Sequence, residues 1–126
     1  MKSINVKQIT NLHNDALRGL DFYAQELTIL QERLEEIAAD NTGKEVLEKV
    51  EHFQNQFIIH RQQIDDLRHY LHANLKTIEV QITENTGFVT ESSLDKNKNL
   101  YEQYVTEENI FNEMHHEFNR FAAEWM

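Results

Sequence analysis

Apolar positions advance along this chain by threes and fours in three long stretches. In the first, Val6, Ile9, His13, Ala16, Leu20, Tyr23, Leu27, Leu30, Leu34 and Ile37 follow one another without a break. That spacing stacks side chains along one side of an α-helix. The second stretch gives Val46, Val50, Phe53, Phe57, His60, Ile64, Leu67, Leu71, Asn74 and Ile78. The third gives Leu94, Tyr101, Tyr104, Glu108, Phe111, His115, Phe118, Ala122 and Trp125. Three such stripes must bury one another, and a sustained seven-residue period implies a gentle left-handed supercoil.

The period breaks at Asp40-Asn41-Thr42-Gly43 and at Thr83-Glu84-Asn85-Thr86-Gly87, two clusters of turn-forming residues. Thr42 followed by Glu45 has capping-box spacing, and Ser92 with Asp95 is a looser version. The pattern therefore predicts helices over 4–40, 43–82 and 94–126. Proline is absent and glycine occurs three times, so little interrupts helix propagation; Gly19, inside the first helix, is expected to permit close packing. Short connections make neighbours antiparallel. The expected fold is all-α, an up-down-up antiparallel coiled-coil-like bundle forming one domain over 1–126.

Centring the turns near Thr42 and Phe88 sets His60 opposite Tyr23 on one side and Glu117 on the other. The third helix, ending at Met126, would then reach only to about Glu51 and Arg33. Leu34, Ile37, Val46, Leu47 and Val50 would be left as a helical hairpin tip extending beyond it. Wet side chains of this kind forfeit roughly 1.5–3 kcal/mol each, so the tip is an expected docking surface. Phe88 and Val89 are expected to fold back over the opposite end of the bundle.

Charge and composition narrow the function. The 126 residues hold 22 Asp and Glu against 12 Lys and Arg, a net charge of −10, which disfavours nucleic acid. Without cysteine there is no disulfide scaffold, thiol catalysis or cysteine-ligated metal, a usage compatible with a reducing cytosol. The apolar runs are too short for a membrane span or signal peptide, so a soluble, cytoplasmic protein is expected.

Seven histidines raise the question of metal. A di-iron bundle wants two Glu-x-x-His helices; this chain offers Glu113-Met114-His115-His116 once and Asp66-Leu67-Arg68-His69 as a weak imitation. His52, His69, His72 and His116 lie off the stripes and are expected in solvent. His13, His60 and His115 occupy apolar positions, with His60 and His115 sharing a layer with Tyr23. The structural expectation for them is neutral, hydrogen-bonded core residues that fix register. The functional alternatives are a proton-sensitive core or a metal site built from His60, His115 and Glu108. Glu108, a carboxylate on the inner stripe, needs a partner, and Arg68 falls at about its height; Asn74 and Asn97 are expected to set register.

The serines are Ser3, Ser92 and Ser93, none in a Gly-x-Ser-x-Gly turn, and three glycines cannot build a phosphate-cradling loop. No enzyme activity or cofactor is expected. Outside the core, Phe22 and Ile29 share an outer face, with Ile58 and Ile59 at matching height, which suggests an apolar patch. The sequence therefore points to a non-enzymatic interaction or assembly module, binding itself or another helical protein but neither nucleic acid nor membrane. A homodimer through the tip or the Phe22/Ile58 patch is expected. The alternative is a metal-binding bundle.

Overall fold

The computed structural model describes residues 6–84 and 89–125. They form three helices, α1 (Val6–Asp40), α2 (Lys44–Glu84) and α3 (Glu91–Trp125), each packed against the other two. This is the all-α three-helix bundle that the periodicity requires. At 1.5 Å per residue each helix is a rod about 50–60 Å long. A rod this thin cannot bury its own apolar side, so the stripes supply the cohesion.

In α1 the buried positions are Ile9, His13, Ala16, Leu17, Leu20, Tyr23, Leu27, Leu30, Leu34 and Ile37, the spacing read from the sequence with Leu17 added, while the Val6 side chain lies outside the described residues; α2 likewise follows its predicted stripe, with Val50 half-buried. The third helix differs. Its buried set is Ser93, Asn97, Leu100, Tyr104, Glu107, Phe111, Met114, Phe118, Phe121 and Ala122. Tyr104, Phe111, Phe118 and Ala122 were expected, but Leu94, Tyr101, Glu108 and His115 are half-buried and the residues just before them take the interior places. The helix is turned by a fraction of its circumference so that the wholly apolar Leu100 and Met114 face inward in place of Tyr101 and His115, and Phe121 joins Ala122 inside.

Hydrogen bonds fix the starts of both later helices. The Leu47 amide donates to the Gly43 carbonyl at 3.1 Å, so Gly43, and not Thr42, caps α2. The third helix starts earlier than expected: the Leu94 amide donates to the Thr90 carbonyl at 3.1 Å and the Ser93 amide to Thr90 Oγ1 at 3.3 Å. Thr90 thus replaces Ser92 as the cap. Gln81 of α2 pins this start, accepting from the Thr90 amide at 3.1 Å and donating to Ser93 Oγ at 2.9 Å. Phe88 lies outside the described residues, and Val89 is half-buried.

The hairpin tip is not uncovered. Leu34, Ile37 and Val46 are at most 2% exposed, because α3 continues down to them. Asn41 Nδ2 donates to the Trp125 carbonyl at 3.5 Å, and Lys49 lies 4.0 Å from Glu124. Each reversal doubles an error in where its turn is centred, and the two errors add in the alignment of α1 with α3. Of the expected tip residues, Leu47 alone stays well exposed, at 41%. Phe53, Phe57, Phe118 and Phe121 cluster above it with ring centroids 5.1–6.3 Å apart.

Candidate functional site

The middle third of the rod departs from a simple apolar core, inside and out. Inside, His60 of α2 is 2% exposed and Glu107 of α3 is 6% exposed. His60 Nδ1–H donates to Glu107 Oε1 at 2.5 Å. The alternating spacing on α2 forces His60 inward, and the turned α3 carries Glu107 to meet it. Phe111 packs against the pair's imidazole at 5.6 Å between centroids and against Tyr23 at 4.6 Å. The expected layer of His60, Tyr23 and α3 is therefore present, but with Phe111 where Glu117 was placed.

Glu108 occupies the flank of α3 that faces α1. The Tyr104 hydroxyl donates to its Oε2 at 2.7 Å, and burial, followed by the neighbouring Glu108 carboxylate, pushes the Tyr104 phenol well above its ordinary range. Tyr23 is shifted the same way, by burial first and then Glu108. Gly19 makes room for this arrangement: a Cβ there would run into the Tyr104 hydroxyl, with the ring carbon Cζ only 2.8 Å away. The expected Arg68–Glu108 pair does not form. Arg68 instead donates to Asp21 at 2.8 Å and Asp65 at 2.7 Å, which hold it on the α1/α2 side and raise its pKa through those hydrogen bonds.

The metal alternative fares no better. His60 is committed to Glu107, Glu108 to Tyr104, and His115 is half-buried with its ring 6.1 Å from Phe111. Among the described residues no group of three or more His, Cys, Asp or Glu side chains is placed to share an ion. His52, His69, His72 and His116 are exposed, in agreement with their place off the stripes.

Above the His60–Glu107 pair the α2/α3 surface opens into a groove of about 450 Å³, whose walls include Ile59, Gln63, Gln103 and Ile110. Both members of the pair form part of its lining. A larger hollow, about 680 Å³, runs along α1 beside Asn11, Asn14, Asp15 and Arg18, with no interior polar group in its wall.

Scans against protein-family models, curated proteins and solved structures find no match. Chemistry and shape are what remain.

Outside, Phe22 is 56% exposed, Ile58 57%, Ile59 54%, Ile110 47%, Ile29 41% and Val105 37%. Contacts between helices fix their heights. Gly19 meets Tyr104, Gln31 meets Gln54, and Phe111 meets both Tyr23 and His60. On that ladder all six side chains fall within about two to three helical turns of one another, near the middle of the rod. They do not form one patch. Phe22 lies one turn beyond Gly19, on the α3-facing flank of α1. Ile58 lies one turn beyond Gln54, on the α1-facing flank of α2, while Ile59 and Ile110 border the α2/α3 groove. The apolar residues form a belt around the rod, at the level of the buried His60–Glu107 pair.

Sequence reasoning missed Glu107, Leu100, Met114 and Phe121. The signal was available: of two candidate rows one residue apart, Leu100, Glu107, Met114 and Phe121 hold three good core residues, whereas Tyr101, Glu108, His115 and Ala122 hold weaker ones.

Proposed function

We propose that this chain is a non-enzymatic interaction module that assembles with a second copy of itself through the apolar belt. The observation that carries this reading is the exposure of Ile59 and Ile110, 54% and 47% open to solvent at the rim of one groove. On the α2/α3 side Ile59 and Ile110 border one groove, and exposed apolar side chains grouped in this way are a mark of interfaces. A two-fold axis needs only one self-complementary surface. Because the belt sits near the midpoint of the rod, two copies laid side by side and antiparallel bring belt against belt without any offset.

No helix among the described residues is long and apolar enough to cross a membrane. The α2/α3 side, with Ile59 and Ile110 at the rim of its groove, is the favoured contact because its hollow can accept side chains from the other copy. Sedimentation equilibrium at micromolar concentration tests the reading. A dimer is expected, converted to monomer by Ile59→Glu/Ile110→Glu and unaffected by Leu47→Glu at the far end. A wild-type protein that stays monomeric at those concentrations overturns it.

A further inference from the structure

Nearer the α2–α3 connection lies a second polar layer, to which each helix contributes one side chain. His13 of α1 and Asn74 of α2 are 0% exposed, and Asn97 of α3 is 6% exposed. Asn74 Nδ2 donates to His13 Nε2 at 2.9 Å, so the neutral imidazole carries its proton on Nδ1. A second proton has to go to Nε2, the edge that Asn74 already occupies with an N–H. That hydrogen bond is then lost unless the Asn74 amide turns round, and the new charge sits in the interior beside neutral amides.

No opposite charge meets the ring. The nearest ionisable groups in sequence on the three helices, Asp15 on α1, His72 and Lys76 on α2, and Asp95, Lys96 and Lys98 on α3, are all exposed. Burial holds His13 below its ordinary pKa of 6.5, and a hydrogen bond with Asn97 opposes that shift without cancelling it. His60 differs, because Glu107 offers it a carboxylate at 2.5 Å.

The layer also lies near the start of α1, where few side chains hold the helix down. Over residues 7–13 the buried side chains are Ile9 and His13, whereas from Ala16 onward the apolar stripe of α1 is continuous. At the same end α2 and α3 are tied to each other by Gln81, which bonds the Thr90 amide and Ser93 Oγ. Detaching residues 7–13 therefore hydrates a charged His13, uncovers Ile9 alone besides it on the α1 side, and leaves the α2–α3 contact in place.

We propose that the His13 layer is an acid-operated latch: on acidification His13 takes up a proton and the first two turns of α1 swing free of α2 and α3, while the remainder of the bundle stays closed. The device is separate from the apolar belt, which lies nearer the middle of the rod.

Native-state hydrogen exchange on the full wild-type chain, at pH 7.5 and pH 5.5 and in low urea, tests the latch. A solvated ring titrates near 6.5, so the opening constant at the amides of residues 11–16 should rise about tenfold between the two pH values. It should also be indifferent to low urea, as a local opening is, whereas amides of residues 30–37 should respond steeply. In His13→Gln the rise should vanish. The proposal is overturned by an opening constant that does not rise, by a urea dependence at residues 11–16 as steep as at 30–37, or by a rise that persists in His13→Gln. If His13→Gln does not fold, the pH and urea dependence of the wild type decide alone.

Discussion

The two halves of the bundle obey one spacing and fill it differently. Toward the α1–α2 turn the interior holds Leu30, Leu34, Ile37, Val46 and the four phenylalanines Phe53, Phe57, Phe118 and Phe121. From the middle to the other end the interior still holds Ile9, Leu20, Ile64, Leu71 and Ile78, but His60, Glu107, His13, Asn74 and Asn97 stand among them. Apolar burial is strong and indifferent to alignment, because one Leu can pack against almost any other. Buried polar groups add little net cohesion but penalise every wrong alignment. The apolar half therefore contributes the stability, and the polar half selects which of several similar heptad alignments is populated.

Emptying the apolar half should have the largest effect. Phe118 is fully buried among Phe53, Phe57 and Phe121, and Phe118→Ala should cost about 3–5 kcal/mol. Urea denaturation measures this as a fall in midpoint with little change in slope. A loss under about 1 kcal/mol would mean that this half is loosely packed and the comparison misplaced.

Next in size is the interior hydrogen-bonded pair His60–Glu107. Glu107→Leu leaves His60 buried without its acceptor and should cost about 1–3 kcal/mol. Replacing both, as His60→Leu/Glu107→Leu, should recover most of that loss, because a well-packed apolar pair of similar volume is often as stable as a buried ionic one. If the polar half supplies alignment, the double variant should keep its stability yet show broadened or doubled NMR signals in α3. A double variant as unstable as the single one would show that the pair supplies cohesion as well.

How far sequence reading reached follows the same division. Where apolar residues dominate a stripe, as in α1 and α2, the three-and-four spacing alone identified the buried face. In α3, Glu107 and Glu108 are chemically identical neighbours, so polarity at that step could not distinguish the inner residue; only comparing whole rows, Leu100, Met114 and Phe121 against Tyr101, His115 and Ala122, does so. The covered tip was unreadable for a different reason. Alignment between helices depends on where each turn is centred, and Thr90 and Gln81 fix that by hydrogen bonds between α2 and the start of α3, which spacing does not encode. The belt was half readable: exposure of Phe22, Ile29, Ile58 and Ile59 followed from their phase, but their separation onto different sides required the inter-helix contacts.

At the boundary between the halves, Gly19→Ala should be milder. Alanine gains about 1 kcal/mol in helix propensity, but its methyl meets the Tyr104 ring, which Glu108 holds in place. Overpacking of this kind costs about 1–3 kcal/mol, so a net loss of about 1 kcal/mol is expected. Gly19→Ala/Tyr104→Leu should be less sensitive to the added methyl than Tyr104 itself. Additive effects in that double-mutant cycle would detach Gly19 from the tyrosine.

The smallest effect belongs to a single proton. Burial holds His13 below its ordinary value of 6.5, partly opposed by Asn97. In the unfolded chain the same ring titrates near 6.5, so above that pH both states are neutral and His13 contributes no pH dependence. As pH falls through 6.5 the unfolded chain takes up a proton that the folded chain does not, and stability declines until the folded ring titrates in turn. Wild type should therefore lose stability between pH 7.5 and pH 5.5 more steeply than His13→Gln, with the two curves parallel above pH 7. Parallel curves across the whole interval would mean that the polar half admits the charged imidazole without penalty. Its layers would then be too wet to discriminate between alignments in the way the comparison requires.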